Sequence, residues 1–463
     1  MKDQKILSNG KIRVGWGQTG NANIGAYRWG VALSVMPSIL GQSYRPTGMP
    51  NESIQWETQE QIDLGLDLGF LNNRINLTID WYRKESKDML MKMQLPSYLG
   101  TQGNGSSALS APYGNYGTMR NTGLEIEVKA TPVQTKAFSW DTDLQFSFNK
   151  NKLVALQGTT SAAIIGYGQW SDVVAVSSVG RPMYDFYGYE VEGVYKDFDD
   201  ILNSPVNTLY IQSCVTETDE NGNIIAYRHQ TDPTKYSKSN TVWPGDLKFK
   251  DVDGNGIIDE NDKTNIGSPL PDFTFGFTNT FNYKNFDLSI FINGSVGNKV
   301  MNYTSIPLTS MTSTWNNQIQ EKIADRAQLA AIDPGKVYED GSMWYNDISN
   351  VYVTNPETKT PRVAIGNTYN QNISSRYIED GSYVRLKNIS LGYTFPKKIV
   401  NKLYLDNLRI YCNLQNVLTL TKYDGYDPEI GASTTDANGY VFGLDNGRYP
   451  SPFTCTFGIN LSF

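Results

Sequence analysis

The chain has 463 residues, with 40 basic against 47 acidic side chains and a formal net charge of −7. That balance excludes a nucleic-acid footprint, which needs a basic excess, and no run nears the roughly 20 apolar residues of a membrane helix. Aromatic residues make up 12%, including 29 Tyr and 9 Trp, the types enriched where protein meets both lipid and water.

In chain order, the first residues (MKDQKILSNG) hold no apolar h-region, so no signal peptide is expected within them. Ile12, Val14 and Trp16 share one face of a first strand, which the glycine-rich stretch 17–21 should break. Residues 29–35 read as a second, less regular strand. Residues 62–70 then alternate strictly, with Ile62, Leu64, Leu66, Leu68 and Phe70 on one face and Asp63, Gly65, Asp67 and Gly69 on the other. After the turn signal Leu71, Asn72, Asn73, the pattern returns through Ile75, Leu77, Ile79 and Trp81, which predicts a hairpin with one apolar and one charged face.

The same design recurs at residues 124–130 with 138–148, and at 273–283 with 286–292 about the turn Lys284, Asn285. In residues 383–395 the apolar parity changes from Val384 and Leu386 to Ile389, Leu391, Tyr393 and Phe395. A β-bulge near Asn388 would produce that slip. Residues 408–414 and the final stretch 453–463 complete the series, the latter alternating Phe453, Cys455, Phe457, Ile459, Leu461 and Phe463 against small polar residues. About a dozen strands result, each apolar on one face, and a tilted strand of roughly 9–11 residues can cross a bilayer.

Connections are unequal: some are two to four residues, others run to tens, as at 157–180, 195–246 and 301–375. Residues 325–333 (DRAQLAAID) read as a short helix inside one of them. Short turns at one end and long loops at the other are the asymmetry of outer-membrane barrels. In lipid, only a closed sheet leaves no strand edge unpaired. The fold expected is therefore all-β, an antiparallel transmembrane β-barrel with long loops at 196–262 and 301–375. A soluble or surface all-β domain, non-catalytic and binding carbohydrate and calcium through its loops, is the alternative.

One motif carries chemistry. In residues 251–262 (DVDGNGIIDEND), Asp251, Asp253 and Asn255 stand at positions 1, 3 and 5 of a twelve-residue loop, with Gly256 at 6. Ile257 supplies a backbone carbonyl at position 7, Asp259 stands at 9 and Asp262 closes at 12. This is EF-hand spacing with Asp replacing the bidentate Glu, and it predicts a structural Ca²⁺ or Mg²⁺ site. No enzyme is expected. The single histidine, His229, lies in a polar stretch without a G-x-S-x-G, and the cysteines Cys214, Cys412 and Cys455 fit no metal or redox spacing. Trp315, Trp344, Tyr345 and Tyr426 in the long segments are candidates for stacking on a substrate.

Several blocks occur in a telling order: GWGQTGN with NIG (15–25), WET (56–58) with QIDLG (61–65), NYGTMRNTGLE (115–125), GRP (180–182) with FYGY (186–189), PGDLKFKD (244–251), IEDGSYVRLKNISL (378–391), and LTKY (420–423) with GYDPE (425–429). Together they resemble the C-terminal part of the SusC/RagA-type TonB-dependent transporters of Bacteroidota outer membranes, over essentially residues 13–463. The resemblance implies that residues 1–463 are the C-terminal portion of a larger, 22-stranded barrel whose plug, TonB box and first strands are absent here. It implies residence in the outer membrane as a multi-pass β-barrel in contact with lipid, and import of oligosaccharides or peptides. The partners implied are a SusD-type lipoprotein lid, the TonB–ExbB–ExbD system acting through the N-terminal part, and the glycan or peptide substrate, with no nucleic acid. Phe463 resembles the terminal aromatic residue read by the barrel-assembly machinery.

Overall fold

A computed structural model describes residues 6–92, 98, 109–156, 164–168, 172–315, 317–435 and 439–463. The alternating runs become ten strands of one sheet. They are β1 (Leu7–Asn21), β2 (Glu57–Phe70), β3 (Ile75–Lys92), β4 (Tyr113–Gln134) and β5 (Phe138–Leu156). After a long connection follow β6 (Phe273–Tyr283), β7 (Phe286–Val296), β8 (Tyr383–Thr394), β9 (Asn407–Thr421) and β10 (Thr454–Ser462). Each pairs antiparallel with its neighbours in sequence, so the sheet is a meander with β1 and β10 at its edges. Successive connections therefore alternate between its two ends. The β2–β3, β4–β5, β6–β7 and β8–β9 turns share one end, and every long connection leaves the other.

The β2–β3 turn works because Leu71, Asn72 and Asn73 all adopt left-handed φ, with the Leu71 amide bonded to the Ile6 carbonyl at 2.9 Å. Asparagine tolerates that region better than most residues. The parity slip in β8 falls at Lys387. Leu386 faces Ile292 and Asn388 faces Phe291, so Lys387 is the extra residue. Across the strand, β9 skips at the same height, between Gln415 and Leu418.

Three expectations change. The glycine-rich stretch 17–21 does not break β1, because Gly17 to Asn21 keep register with Gln61 to Glu57 and the ladder outweighs weak strand propensity. Residues 29–35 supply no strand to the sheet; Leu33–Ser38 instead pairs with Gly41–Pro46 as a separate hairpin. Residues 325–333 are not helical: Leu329–Ala331 pairs with Val351–Val353, and the helical turn lies earlier, at Gln320–Ile323.

The two faces of the sheet differ in kind. One holds Ile12, Val14, Leu64, Ile79, Ile126, Phe146, Phe277, Ile290 and Ile459 in matched register. It stays uncovered, with Ile12 79% and Phe457 78% exposed. The other is polar, and Arg13 there bonds both Asp67 and Asp80 at 2.8 Å. From Phe138 to Phe148, β5 rises about 34 Å along its length, or about 26 Å at a tilt of about 40°, which matches an apolar belt of about 25 Å. Aromatic rings cluster at both limits. Trp140 and Phe281 stack at 5.8 Å and Phe286 meets Tyr393 at 4.6 Å near the short turns, while Phe148 meets Phe273 at 5.5 Å near the long ones.

The buried core lies elsewhere. Almost all of it belongs to the long connections between β5 and β6, β7 and β8, and β9 and β10. They are not structureless, as loops of that length would be, but fold together into a cap.

Candidate functional site

The cap is built around two apolar clusters. In the larger, the ring of Phe249 stacks on Tyr189 at 4.6 Å and meets Tyr369 at 5.2 Å, and Trp243, Leu247, Ile258 and Ile348 are also buried. The smaller joins Phe186, Met301, Tyr303, Tyr377, Val441 and Leu444, one or more from each of the three connections. Buried phenols are tied down, as expected where a polar tip enters an apolar core. The Tyr369 hydroxyl donates to the Leu247 carbonyl at 3.0 Å and accepts from Asn207 Nδ2 at 2.9 Å. Burial drives its phenol well above the usual tyrosine range and pushes that of Tyr236 up to about 12.

An ion pair is buried inside the cap. Arg362 Nε lies 2.8 Å from Asp246 Oδ1, with side chains 4% and 0% exposed. This close approach is an ion contact, the directed hydrogen bond running from Arg362 Nη2 to Asp246 Oδ2 at 3.1 Å. Asn370 Nδ2 and the Trp243 amide complete the shell at 2.9 Å each. Burial raises the Asp246 carboxyl despite these partners. The pair clamps the β5–β6 connection to the β7–β8 connection.

The cap is seated on the polar face of the sheet. The Met183 amide donates to Asn151 Oδ1 at 2.9 Å, and Leu153 exchanges backbone bonds with Gly180 and Arg181. At the bulge of β8, Arg385 is only 2% exposed. It donates from Nη1 to Glu429 at 2.7 Å, from Nη2 to Asp427 and from Nε to Thr419, while Lys387 reaches Glu429 at 2.8 Å. Burial would raise Asp427, but the Ser451 and Glu429 amides and Arg385 hold it down at about 2. The bulge therefore turns two successive cations to one acidic pair in the β9–β10 connection.

Residues 251–262 form a tight loop in the cap. Asp251 accepts from the Gly254 and Gly256 amides at 2.7 and 2.8 Å, both glycines having left-handed φ. Asp262 is fully buried and accepts from the Val252 and Asp259 amides at 2.8 Å. Carboxylate oxygens of Asp251, Asp253 and Asp262 come within 4.8 Å of one another. That donor set fits a hard cation taking oxygen ligands at about 2.3–2.6 Å. Asp259 lies outside the group, its carboxylate capping a short helical turn through the Asn261 amide at 2.7 Å. Asn255 turns its oxygen to the Ile257 amide at 2.7 Å. Ile257–Ile258 forms a parallel bridge to Val206–Asn207, and buried Ile258 anchors the loop in the larger cluster.

The aromatic candidates do not form one platform. Trp344 and Tyr345 meet edge-on at 5.7 Å, and Lys238 sits 4.2 Å over Tyr345. Trp315 and Tyr426 are exposed, at 92% and 73%, and make no ring contact with another candidate among the described residues. Phe463 is exposed just beyond β10, whose last pair is Asn407 with Ser462. Below the cap, Asp80, Glu125 and Glu127 line a groove of about 540 Å³ on the polar face. Sequence reasoning missed the Arg385–Asp427–Glu429 and Arg362–Asp246 contacts. The RLKN and GYDPE blocks were signals of the first, but linear spacing does not show that they meet.

A family model described as "TonB dependent receptor-like, beta-barrel" matches residues 5–417. The TonB-dependent receptor P3 of Formosa agariphila is 32% identical over 471 residues, covering 100% of this chain and 40% of the relative. The TonB-dependent receptor SusC of Bacteroides thetaiotaomicron is 28% identical over 473 residues, covering 100% and 38%. A chain from the structure of the RagAB peptide importer in the "open-open" state superposes with a TM-score of 0.69 at 21% identity, covering 100% of this chain and 41% of that one. The chain thus spans about two-fifths of the length of the curated relatives it matches.

Proposed function

The chain belongs to the TonB-dependent receptor β-barrel family, of the SusC/RagA type in the outer membrane, and from that premise we propose that it forms the C-terminal wall and extracellular cap of an energised importer of oligosaccharides or peptides. The observation that carries this reading is the division of the sheet into an uncovered apolar face and a polar face roofed by a packed cap. A soluble surface domain would leave that apolar face in water, a large free-energy penalty. The polar face lines the route, the cap meets substrate under a SusD-type lid, and coupling to TonB–ExbB–ExbD comes through a plug carried by another part of the protein. No covalent chemistry is needed. Deletion of the gene, with growth then compared on defined oligosaccharides and on peptides, tests the substrate class. Unchanged uptake of both would sink the proposal.

Within the cap, Asp251, Asp253 and Asp262, with Asn255, Ile257 and Asp259 completing the loop, are proposed to hold a structural Ca²⁺ or Mg²⁺. The ion would offset crowded carboxylates and brace the cap, supplying no reaction chemistry. Titration calorimetry on the full-length protein checks it: Ca²⁺ binding heat is expected, and lost in Asp251→Ala/Asp253→Ala. Absence of heat in the unaltered protein would remove the site.

A further inference from the structure

Directly opposed residues on β2, β3, β4 and β5 form level rows across the outward face. One row is wholly apolar: Leu64, Trp81, Leu124 and Phe148. One step towards the long connections, about 7 Å along the strands, the row reads Ile62, Arg83, Thr122 and Lys150. The next reads Glu60, Glu85, Arg120 and Lys152, and Lys87 stands one step further, opposite Thr58. Five cations and two carboxylates thus crowd the rim of the apolar belt.

The carboxylates do not satisfy them all. Glu85 takes Arg83 at 2.8 Å and Arg120 at 3.3 Å, and Glu60 takes Lys87 at 2.5 Å. Lys150 and Lys152 are exposed and have no carboxylate partner among the described residues, and Arg120 Nε is buried there without a hydrogen-bond partner. The patch is local: at their long-connection ends β8 and β9 present Val384, Leu386, Leu418 and Leu420 outward instead.

We propose that this patch binds the phosphate-bearing headgroups of the glycolipid in the outer leaflet. The inference rests on the membrane reading of the sheet. Cations one step above the hydrocarbon edge lie in the headgroup layer, face away from the transport route, and offer guanidinium and ammonium donors suited to phosphate. Binding there would fix the height of the barrel and hold lipid along one side of it.

The full-length protein, purified in detergent, is incubated with bisphosphorylated lipid A or its dephosphorylated form, and retained lipid is counted by native mass spectrometry. The phosphorylated form should be retained about 25-fold better, at about fivefold for each of the two lysines engaged. Lys150→Glu/Lys152→Glu, which disturbs no ion pair, should abolish that preference, while Lys129→Glu on the polar face should keep it. Equal retention of the two lipids, unchanged preference in the double variant, or equal loss in the Lys129 variant would overturn the inference. Recovery of the protein in the soluble fraction would overturn the membrane reading as well. Recovery in the outer membrane with heat-modifiable migration, but no phosphate preference, would overturn the lipid site alone.

Discussion

In the cap, Trp243 and Phe249 are each 1% exposed, while on the sheet Ile12 and Phe457 stand 79% and 78% exposed. Both regions are rich in aromatic and branched residues, yet they use them in opposite ways. The cap packs apolar side chains against one another and surrounds them with buried polar contacts, as a water-soluble domain does. The sheet turns them outward to a solvent that is itself apolar, and within the apolar belt it keeps its ion pairs on the inside, as at Arg13 with Asp67 and Asp80. Stability in the cap comes from burial and in the sheet from the unbroken hydrogen-bond ladder. Equivalent substitutions should therefore have unequal consequences.

The largest contrast is expected for phenylalanine. Phe249→Ala removes the centre of a three-ring cluster and should destabilise the cap by about 3–5 kcal/mol, seen as faster hydrogen exchange across residues 172–270. Phe277→Ala, on the outward face of β6, leaves no comparable cavity and should leave exchange in the sheet unchanged. Equal effects would mean that the two regions share one core. Charge reverses the ranking of sites. Ile79→Arg, with Leu66 and Ile126 on either side, places a cation in the belt and should cost about 2–4 kcal/mol, read as loss of folded barrel in heat-modifiability assays. If that variant assembles normally, the outward face does not meet lipid.

Acid separates the regions again. Asp427 is held at about 2, below its unfolded value of about 3.9, so its contribution is fully present above about pH 4. It is lost as pH falls through about 2. Proteolysis by an acid-active protease should cut residues 422–453 increasingly over that window while strand fragments stay protected. A smaller effect is expected on the polar face. Lys129 pairs with Glu127 at 2.7 Å but is half exposed, and Lys129→Ala should change stability by less than about 1 kcal/mol, vanishing at high salt.

Much of the sheet was legible because alternation is a local property: Ile75, Leu77, Ile79 and Trp81 show their shared face without reference to any other segment. The bulge at Lys387 was legible for the same reason, as a change of parity beside Asn388. Strand limits were less so. Gly17 to Asn21 look like a break, and only pairing with β2 carries them into the strand. Of the candidate cation loop, the twelve-residue spacing placed Asp251, Asp253 and Asp262 together. It did not show that Asp259 would be drawn away to cap a helical turn.

The order of amino acids by itself determined the all-β class, the apolar and polar faces, the short-turn and long-connection ends, and the family. These follow from periodicity and from motifs read within a few residues. Only the tertiary structure decided that segments read as bare loops form a packed cap, that Arg362 finds Asp246, and that Arg385 finds Asp427. It also decided that Arg83, Arg120, Lys150 and Lys152 share one rim. Such contacts join residues tens to more than a hundred positions apart, and their pairing depends on the register of whole strands and the path of long connections, which no local pattern records.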